Sequence, residues 1–318
     1  MTVDSTLESL FFTVDAIVDG VFAAIAKPGT GAMANAGIID LGDQTLIFDT
    51  MYTPSAGKAL SEAAVQIFQR PVSIVINSHF HMDHVGGNQS FPGAQIISTS
   101  RTRSLMLERT QQFLSFALNH PEYPASIQAT LEQETDVQKR HELSIQLGDV
   151  LAMDSALPTL TPTPATLTFE SSLTLHGSKR SVVLTAMGNG HSPCDSILYL
   201  PEDEIVFAAD LLFVQSHPSV QSSNVYEWIL LLERLAKYEF GQIVPGHGHV
   251  SNKQAVTDLW HYLTDLQKRA RFFNENQIML HAESPALIPV AYQNWSTPSL
   301  YERNLSHMLN QLQASNQK

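Results

Sequence analysis

The run His79, Phe80, His81, Met82, Asp83, His84 constrains this chain more than any other feature. Three imidazoles and a carboxylate within six residues are unfavourable to bury unless something pairs them. The run follows the apolar segment VSIVI, which reads as a buried strand. The run reads as a short loop after that strand, where alternate residues point the same way and neighbours point apart, so one face offers two imidazoles to a metal ion, while Asp83 and His84 turn toward a second. The chain has a single cysteine, Cys194, so no intrachain disulfide forms. Any transition metal then has to be held by imidazole and carboxylate.

A histidine-rich surface loop would show the same letters. Three further residues argue against it: His191 follows RSVVLTAM, Asp210 ends IVFAAD, and His247 follows QIV in the turn Pro245, Gly246, His247, Gly248. Each lies where a strand gives way to a loop, which is where α/β sheets place their sites. Two stretches also rhyme. LIFDT, a helix and SIVINSHFH form the first, and IVFAAD, a helix and QIVPGHGH the second, each a strand ending in Asp, a helix, and a strand ending in His. This points to two packed sheets with helices outside.

The rest of the chain fits around these segments. IID and TLIFDT, meeting at Gly42-Asp43, read as a hairpin. Thr53-Pro54 opens a helix whose apolar face is Leu60, Ala64, Ile67 and Phe68. From about Arg101 to Val150 the sequence reads as two helices separated by Pro121 and Pro124, with PTLTPTP as a surface connector. Strands resume with TLTFESSLTL, RSVVLTAM, DSILYL and IVFAAD. Asn224 and Glu227 start a helix with Trp228, Leu231, Leu232 and Leu235 on one face, and Gly241 is read as its stop. From about Asn252 the chain reads as helices.

The pattern HxHxDH, a distant His, an Asp at a strand end and a final His in a PGHG turn resembles the metallo-β-lactamase superfamily, from about Gly37 to His249. The resemblance implies an α/β fold, the four-layer αβ/βα sandwich, as one domain over 1–318. A helical insertion at about 101–155 and a helical C-terminal extension at about 252–318 would be added to it. It implies that His79, His81 and His191 hold a first metal and Asp83, His84 and His247 a second, with Asp210 bridging. Asp49 matches the family's early acidic residue, which supports the histidine loop by hydrogen bonding. Two divalent ions are implied; the donor set favours Zn2+, with Mn2+ or Fe2+ able to occupy it. The expected activity is hydrolysis of an ester, thioester or lactone, with Asp83 as the catalytic base. Asp210 departs from true β-lactamases, which carry Cys or Ser there, and Phe213 stands where the family's acyl-homoserine lactonases carry a tyrosine. An iron-dependent persulfide dioxygenase using His79, His191 and Asp210 is the alternative, and a non-catalytic binding module a third reading.

A net charge of −13, from 18 basic and 31 acidic residues, argues against a nucleic-acid substrate. The partner expected is a small-molecule substrate, with a homodimer possible. MTVDSTLESLFF lacks the basic and apolar regions of a secretory leader, and no apolar run is long enough to span a membrane, so a cytoplasmic protein is expected. Cys194 is read as a buried thiol and His249 as secondary to His247. His217 is read as a loop residue that either touches substrate or is structural. His120, His141, His176, His261, His281 and His307 are read as structural or solvated.

Overall fold

The computed structural model describes residues 9–278 and 288–316, and His281 lies outside them. Seven strands form one sheet in chain order: β1 (Phe12–Val18), β2 (Val21–Ala26), β3 (Ala36–Asp40), β4 (Thr45–Phe48), β5 (Ile74–Ile76), β6 (Gln95–Thr99) and β7 (Leu167–Phe169). Five more form the second, in the order β12 (Gln242–His247), β11 (Ile205–Phe213), β10 (Asp195–Leu200), β9 (Ser181–Gly188), β8 (Ser172–His176). Alternation along the strands builds three apolar layers. Ile39, Leu46, Phe48, Ile74 and Ile76 meet Leu184, Leu198, Phe207 and Val244 between the sheets. Their neighbours Ile38, Ile47 and Val75 face Ala56, Leu60 and Ala64 of helix α1 (Pro54–Phe68) on the outer side. The second sheet turns Ile197, Val206 and Leu212 outward onto helical residues such as Trp228, Leu259 and Leu305. The result is the four-layer αβ/βα sandwich.

Helix α2 (Met82–Val85) is a single turn within the histidine run. The long insertion between β6 and β7 holds α3 (Ser100–Asn119), α4 (Tyr123–Gln133) and α5 (Val137–Ala156). That is three helices where the prolines suggest two. Pro124 sits in the first turn of α4, and a second break falls at Asp136, whose side chain accepts from Gln138 N and Lys139 N and so starts a new helix. Helix α6 (Val225–Leu235) begins as expected, with Asn224 accepting from Glu227 N. It ends at Leu235, well before Gly241, which leads into β12 instead. Helices α7 (Lys253–Glu275) and α8 (Ser299–Asn316) close the outer layer.

Two further differences concern strands. TLTFESSLTL divides between the sheets: β7 pairs with β6 in the first and β8 with β9 in the second. The chain crosses the sandwich at Glu170–Ser171, a change of partner that apolar alternation cannot signal. The N-terminal hairpin β1–β2 adds to the expected strands. It turns at Asp19-Gly20, with Gly20 at φ +76°, and Asp-Gly is a hairpin turn signal.

Candidate metal centre

Each half of the sandwich contributes a parallel pair of strands joined by a crossover helix: β4–α1–β5 and β11–α6–β12. The histidine run leaves β5 and does not continue as a strand. His79 and Phe80 lie in a bend, and α2 then turns Asp83 and His84 inward, so helical geometry separates them from His79 and His81 rather than strand alternation. Asp210 is likewise inside a strand and not at its end. β11 runs on to Phe213, and its register with β12 slips on both sides of Ala209, which lies at φ +45°. A left-handed alanine costs roughly 1–2 kcal/mol; the local kink re-aims the next side chain.

The seven residues come together as two groups sharing Asp210. In the first, His79 Nε2 and His81 Nδ1 are 2.9 Å apart, and His191 Nε2 lies 3.1 Å from that same His81 Nδ1. Asp210 Oδ2 is 3.1 Å from His191 Nε2 and 3.8 Å from His79 Nε2. In the second, Asp210 Oδ1 is 3.0 Å from His84 Nε2 and 3.4 Å from His247 Nε2, and Asp83 Oδ2 lies 3.4 Å from His247 Nε2 and 3.6 Å from His84 Nε2. Within each group the donor atoms lie within 4.8 Å of one another, close enough to share one metal ion. His84 Nε2 and Asp210 Oδ1 are buried and face each other at 3.0 Å without the alignment of a hydrogen bond. Converging buried donor atoms of this kind fit a cation-binding site, and three nitrogens with one carboxylate oxygen in the first group, and two nitrogens with two carboxylate oxygens in the second, suit a divalent transition metal.

Electrostatics divide the two groups. Burial pushes the imidazole of His79 well below its usual range, and that of His191 to about 3, which keeps them neutral and their lone pairs free. In the second group burial acts the same way, but carboxylates outweigh it. Asp210, Asp83 and Asp49 raise His84, and Asp210 and Asp83 hold His247 up to about 9. Against the penalty of burial, the imidazoles keep Asp83 ionised, down to about 2, and Asp210 well below the usual carboxylate range.

Supporting contacts fix the donors. Asp49, at φ +61° just past β4, accepts from Ser78 N at 2.8 Å and Ser78 Oγ at 2.7 Å, and its Oδ2 lies 2.8 Å from His84 Nδ1. Ser78 Oγ is also 2.9 Å from His79 Nδ1, so one carboxylate and one hydroxyl orient a histidine of each group. The His84 carbonyl accepts from Thr50 N, Thr50 Oγ1 and Asn77 Nδ2, and Asn77 and Asn88 exchange amide hydrogen bonds beneath it. Asn35 clamps the other side, donating to the carbonyls of Pro245 and Gly248. Gly246 allows the close approach, because a Cβ there would sit 1.9 Å from Asp210 Oδ1. The sequence pattern does not single out Ser78, Asn77, Asn88, Asn35 or Gly246. HVGGN and the neighbouring asparagines are the available signal, but polar side chains serving backbone carbonyls have no characteristic spacing.

The other candidate residues lie apart from the donors. Cys194 is a buried free thiol beside Phe80 and Met106. His249 is exposed. His217 is buried away from both groups, its Nδ1 3.1 Å from Tyr262 OH and its Nε2 3.2 Å from the Tyr292 carbonyl, which makes it a tie to the C-terminal helices. Phe213 stacks on His247 with ring centres 4.9 Å apart, and Trp228 packs edge-on against His191, so aromatic walls back both groups.

A two-sheet sandwich whose parallel strand pairs bring together two His/Asp groups able to hold metal ions defines a class of α/β proteins. The metallo-beta-lactamase superfamily model matches residues 29–247, and the chain belongs to that superfamily. It is similar to a linear primary-alkylsulfatase from Pseudomonas sp., 22% identical over 237 residues, which cover 70% of this chain and 43% of the relative. The chain thus spans under half the length of that relative. Among solved structures, a metallo-beta-lactamase from Pontibacter korlensis matches with a TM-score of 0.59 at 16% identity, over 80% of this chain and 99% of that one. Another from Hirschia baltica matches with 0.56 at 16% identity, over 79% and 96%. At these identities they speak for the fold alone. Among the described residues no helix is long and apolar enough to cross a membrane.

Proposed function

We propose that the protein is a two-metal hydrolase of ester-type bonds in small molecules: esters, thioesters or lactones. The observation that carries this is the position of Asp210, whose two carboxylate oxygens each face one donor group, as a bridge between two ions would. His79, His81 and His191 would hold the first ion, Asp83, His84 and His247 the second, with zinc the metal best suited to the donors. Divalent ions held there would supply hydroxide at neutral pH and Lewis-acid polarisation of an acyl oxygen. The chain's own residues do the rest. The Asp83 carboxylate, part-exposed and kept ionised by His84 and His247, receives the nucleophile's proton and passes it to the leaving group. Asp49 and Ser78 hold the imidazoles in the tautomers that aim their lone pairs inward. Phe213 and Trp228 exclude water from the buried side.

The completeness of the second group, with four donor atoms, favours this reading over a mononuclear oxygenase. The test is a panel of acyl esters, thioesters and lactones, with sulfate esters added because of the alkylsulfatase likeness, on zinc- and manganese-loaded protein. Asp83→Asn is expected to weaken the second ion and, at saturating metal, to lower turnover about 10²- to 10⁴-fold. Unchanged turnover would reject the role of Asp83. About one iron per chain, together with oxygen uptake on a persulfide, would replace the hydrolase reading with the oxygenase.

A further inference from the structure

The loop between β11 and α6, residues 214–224, is tied down at both ends and reaches a metal donor in between. Near its start His217 N donates to the Ser296 carbonyl, and Ser296 N donates to that of Gln215. The His217 ring is held by Tyr262 of α7 and by the Tyr292 carbonyl. Asn304 of α8, fully buried, then grips the loop at two points. Its Nδ2 donates to the Pro218 carbonyl at 2.6 Å and its Oδ1 accepts from Val220 N at 3.1 Å. Tyr262 OH lies 3.4 Å from that Nδ2 and 3.1 Å from His217 Nδ1, so one phenol backs both ties. At the far end Asn224 N donates to the Gly190 carbonyl, next to His191. Between these ties the exposed Ser222 places its Oγ 3.3 Å from His81 Nε2.

We infer that Ser222 is a positioning residue for the first donor group, and that the C-terminal helices hold it in place. His81 differs from His79 and His84 in the nitrogen it turns inward: Nδ1, not Nε2, faces His79 and His191. A neutral imidazole carries one ring proton, so Nδ1 offers a lone pair only when that proton sits on Nε2. Ser222 Oγ is placed to accept it. Ser78 stands in the same relation to His79 Nδ1, and Asp49 to His84 Nδ1. Those two come from the half of the sandwich that carries the histidine run, whereas Ser222 lies 141 residues from His81, beyond a strand of the second sheet. The loop, clamped by Asn304 and His217, thus links the C-terminal extension to a donor of the first group. An orienting partner of a ligating histidine is worth about 10- to 100-fold in metal affinity, and because water can partly replace an exposed hydroxyl, loss of Ser222 falls at about tenfold. The inference rests on the metal reading of the donors, not on the bond that is cleaved.

The experiment titrates the full chain, stripped of metal, with zinc, and follows by NMR the imidazole nitrogen resonances of His81 and His84, which report the two groups separately. Ser222→Ala should raise the zinc concentration at the His81 midpoint about tenfold and leave that of His84 within about twofold, while Ser222→Thr, which keeps the hydroxyl, should restore the native midpoint. Tyr262→Phe removes the phenol that backs His217 and Asn304 but leaves Ser222 in the chain. It should move the His81 midpoint in the same direction by a smaller factor. Each variant is checked for a native thermal transition. An unchanged His81 midpoint in Ser222→Ala, or Ser222→Thr no better than alanine, would overturn the assignment of Ser222. An unchanged midpoint in Tyr262→Phe would overturn the part given to the C-terminal helices. No zinc bound at His81 in the native protein would sink the inference together with the metal reading. Ser222-dependent zinc binding without turnover of any ester, thioester or lactone would support the inference and reject the hydrolase reading alone.

Discussion

The two crossover units, β4–α1–β5 and β11–α6–β12, have the same order of elements and the same parallel pairing, yet their acidic residues do different work. Asp49 lies just past β4 and turns beneath the histidine run, where its oxygens engage Ser78 and His84. Asp210 sits inside the longer β11, behind the kink at Ala209, and both its oxygens face imidazoles. One carboxylate is committed to hydrogen bonds with Ser78 and His84; the other turns its two oxygens to the two His/Asp groups. The difference arises from the path of the chain beyond each strand. After β4 it descends to α1 under the histidine run, whereas β11 continues past the site and keeps Asp210 pointed into it. Equivalent places in a repeated pattern thus do not carry equivalent chemistry.

The largest effect that separates the two acids is expected from Asp210→Asn. On the proposed two-metal reading, a neutral amide presents one oxygen where two charged ones stood, so we expect the metal content to fall from two ions to one and kcat/KM to fall about a thousandfold. Metal content and steady-state kinetics measure it. Two retained metals with a rate within about tenfold of native would erase the distinction from Asp49. For Asp49→Asn the expectation is milder: metal affinity lower by about 10- to 100-fold, as for partners that orient a ligand, with activity largely restored by excess metal. The smallest effect concerns the two crossover helices. Helix α1 ends at Gln69, exposed and left-handed at φ +54°, whereas α6 ends at Ala236 in ordinary helical geometry. Gln69→Gly should therefore add about 1 kcal/mol and raise Tm by roughly 2 °C, while Ala236→Gly should lower it, with neither altering kinetics.

Much of the fold and the site is legible in the sequence because the relevant signals are local. The histidine run, the strand-terminal His191 and His247, the Thr53 and Asn224 caps, and the Gly42-Asp43 hairpin each depend on residues a few positions apart. The illegible parts depend on distant ones. The division of TLTFESSLTL between sheets is decided by which edge strand lies free, β6 or β9. Loss of the helix pattern at Asp136 is masked by the stronger proline signal at 121 and 124. His217 reads equally well as a substrate contact or a structural residue, and only Tyr262 and Tyr292, 45 and 75 residues away, identify it as structural.

The sequence by itself determined the kinds of donor atom, imidazole and carboxylate in a chain with a single cysteine, and the two-sheet architecture with its helical insertion and tail. These depend on composition and on periodicity within single elements. The family resemblance implied how the seven residues divide and which acid braces the histidines; only the tertiary structure decided that α2, and not strand alternation, separates the groups, that Asp210 lies within β11 behind a kink, and that the insertion helices enclose a cavity bordered by Tyr52. Those outcomes depend on the kink at Ala209, the single turn of α2 and the contact of α5 with Gly31. Each is a meeting of segments far apart in the chain, and a linear pattern does not encode which segments meet.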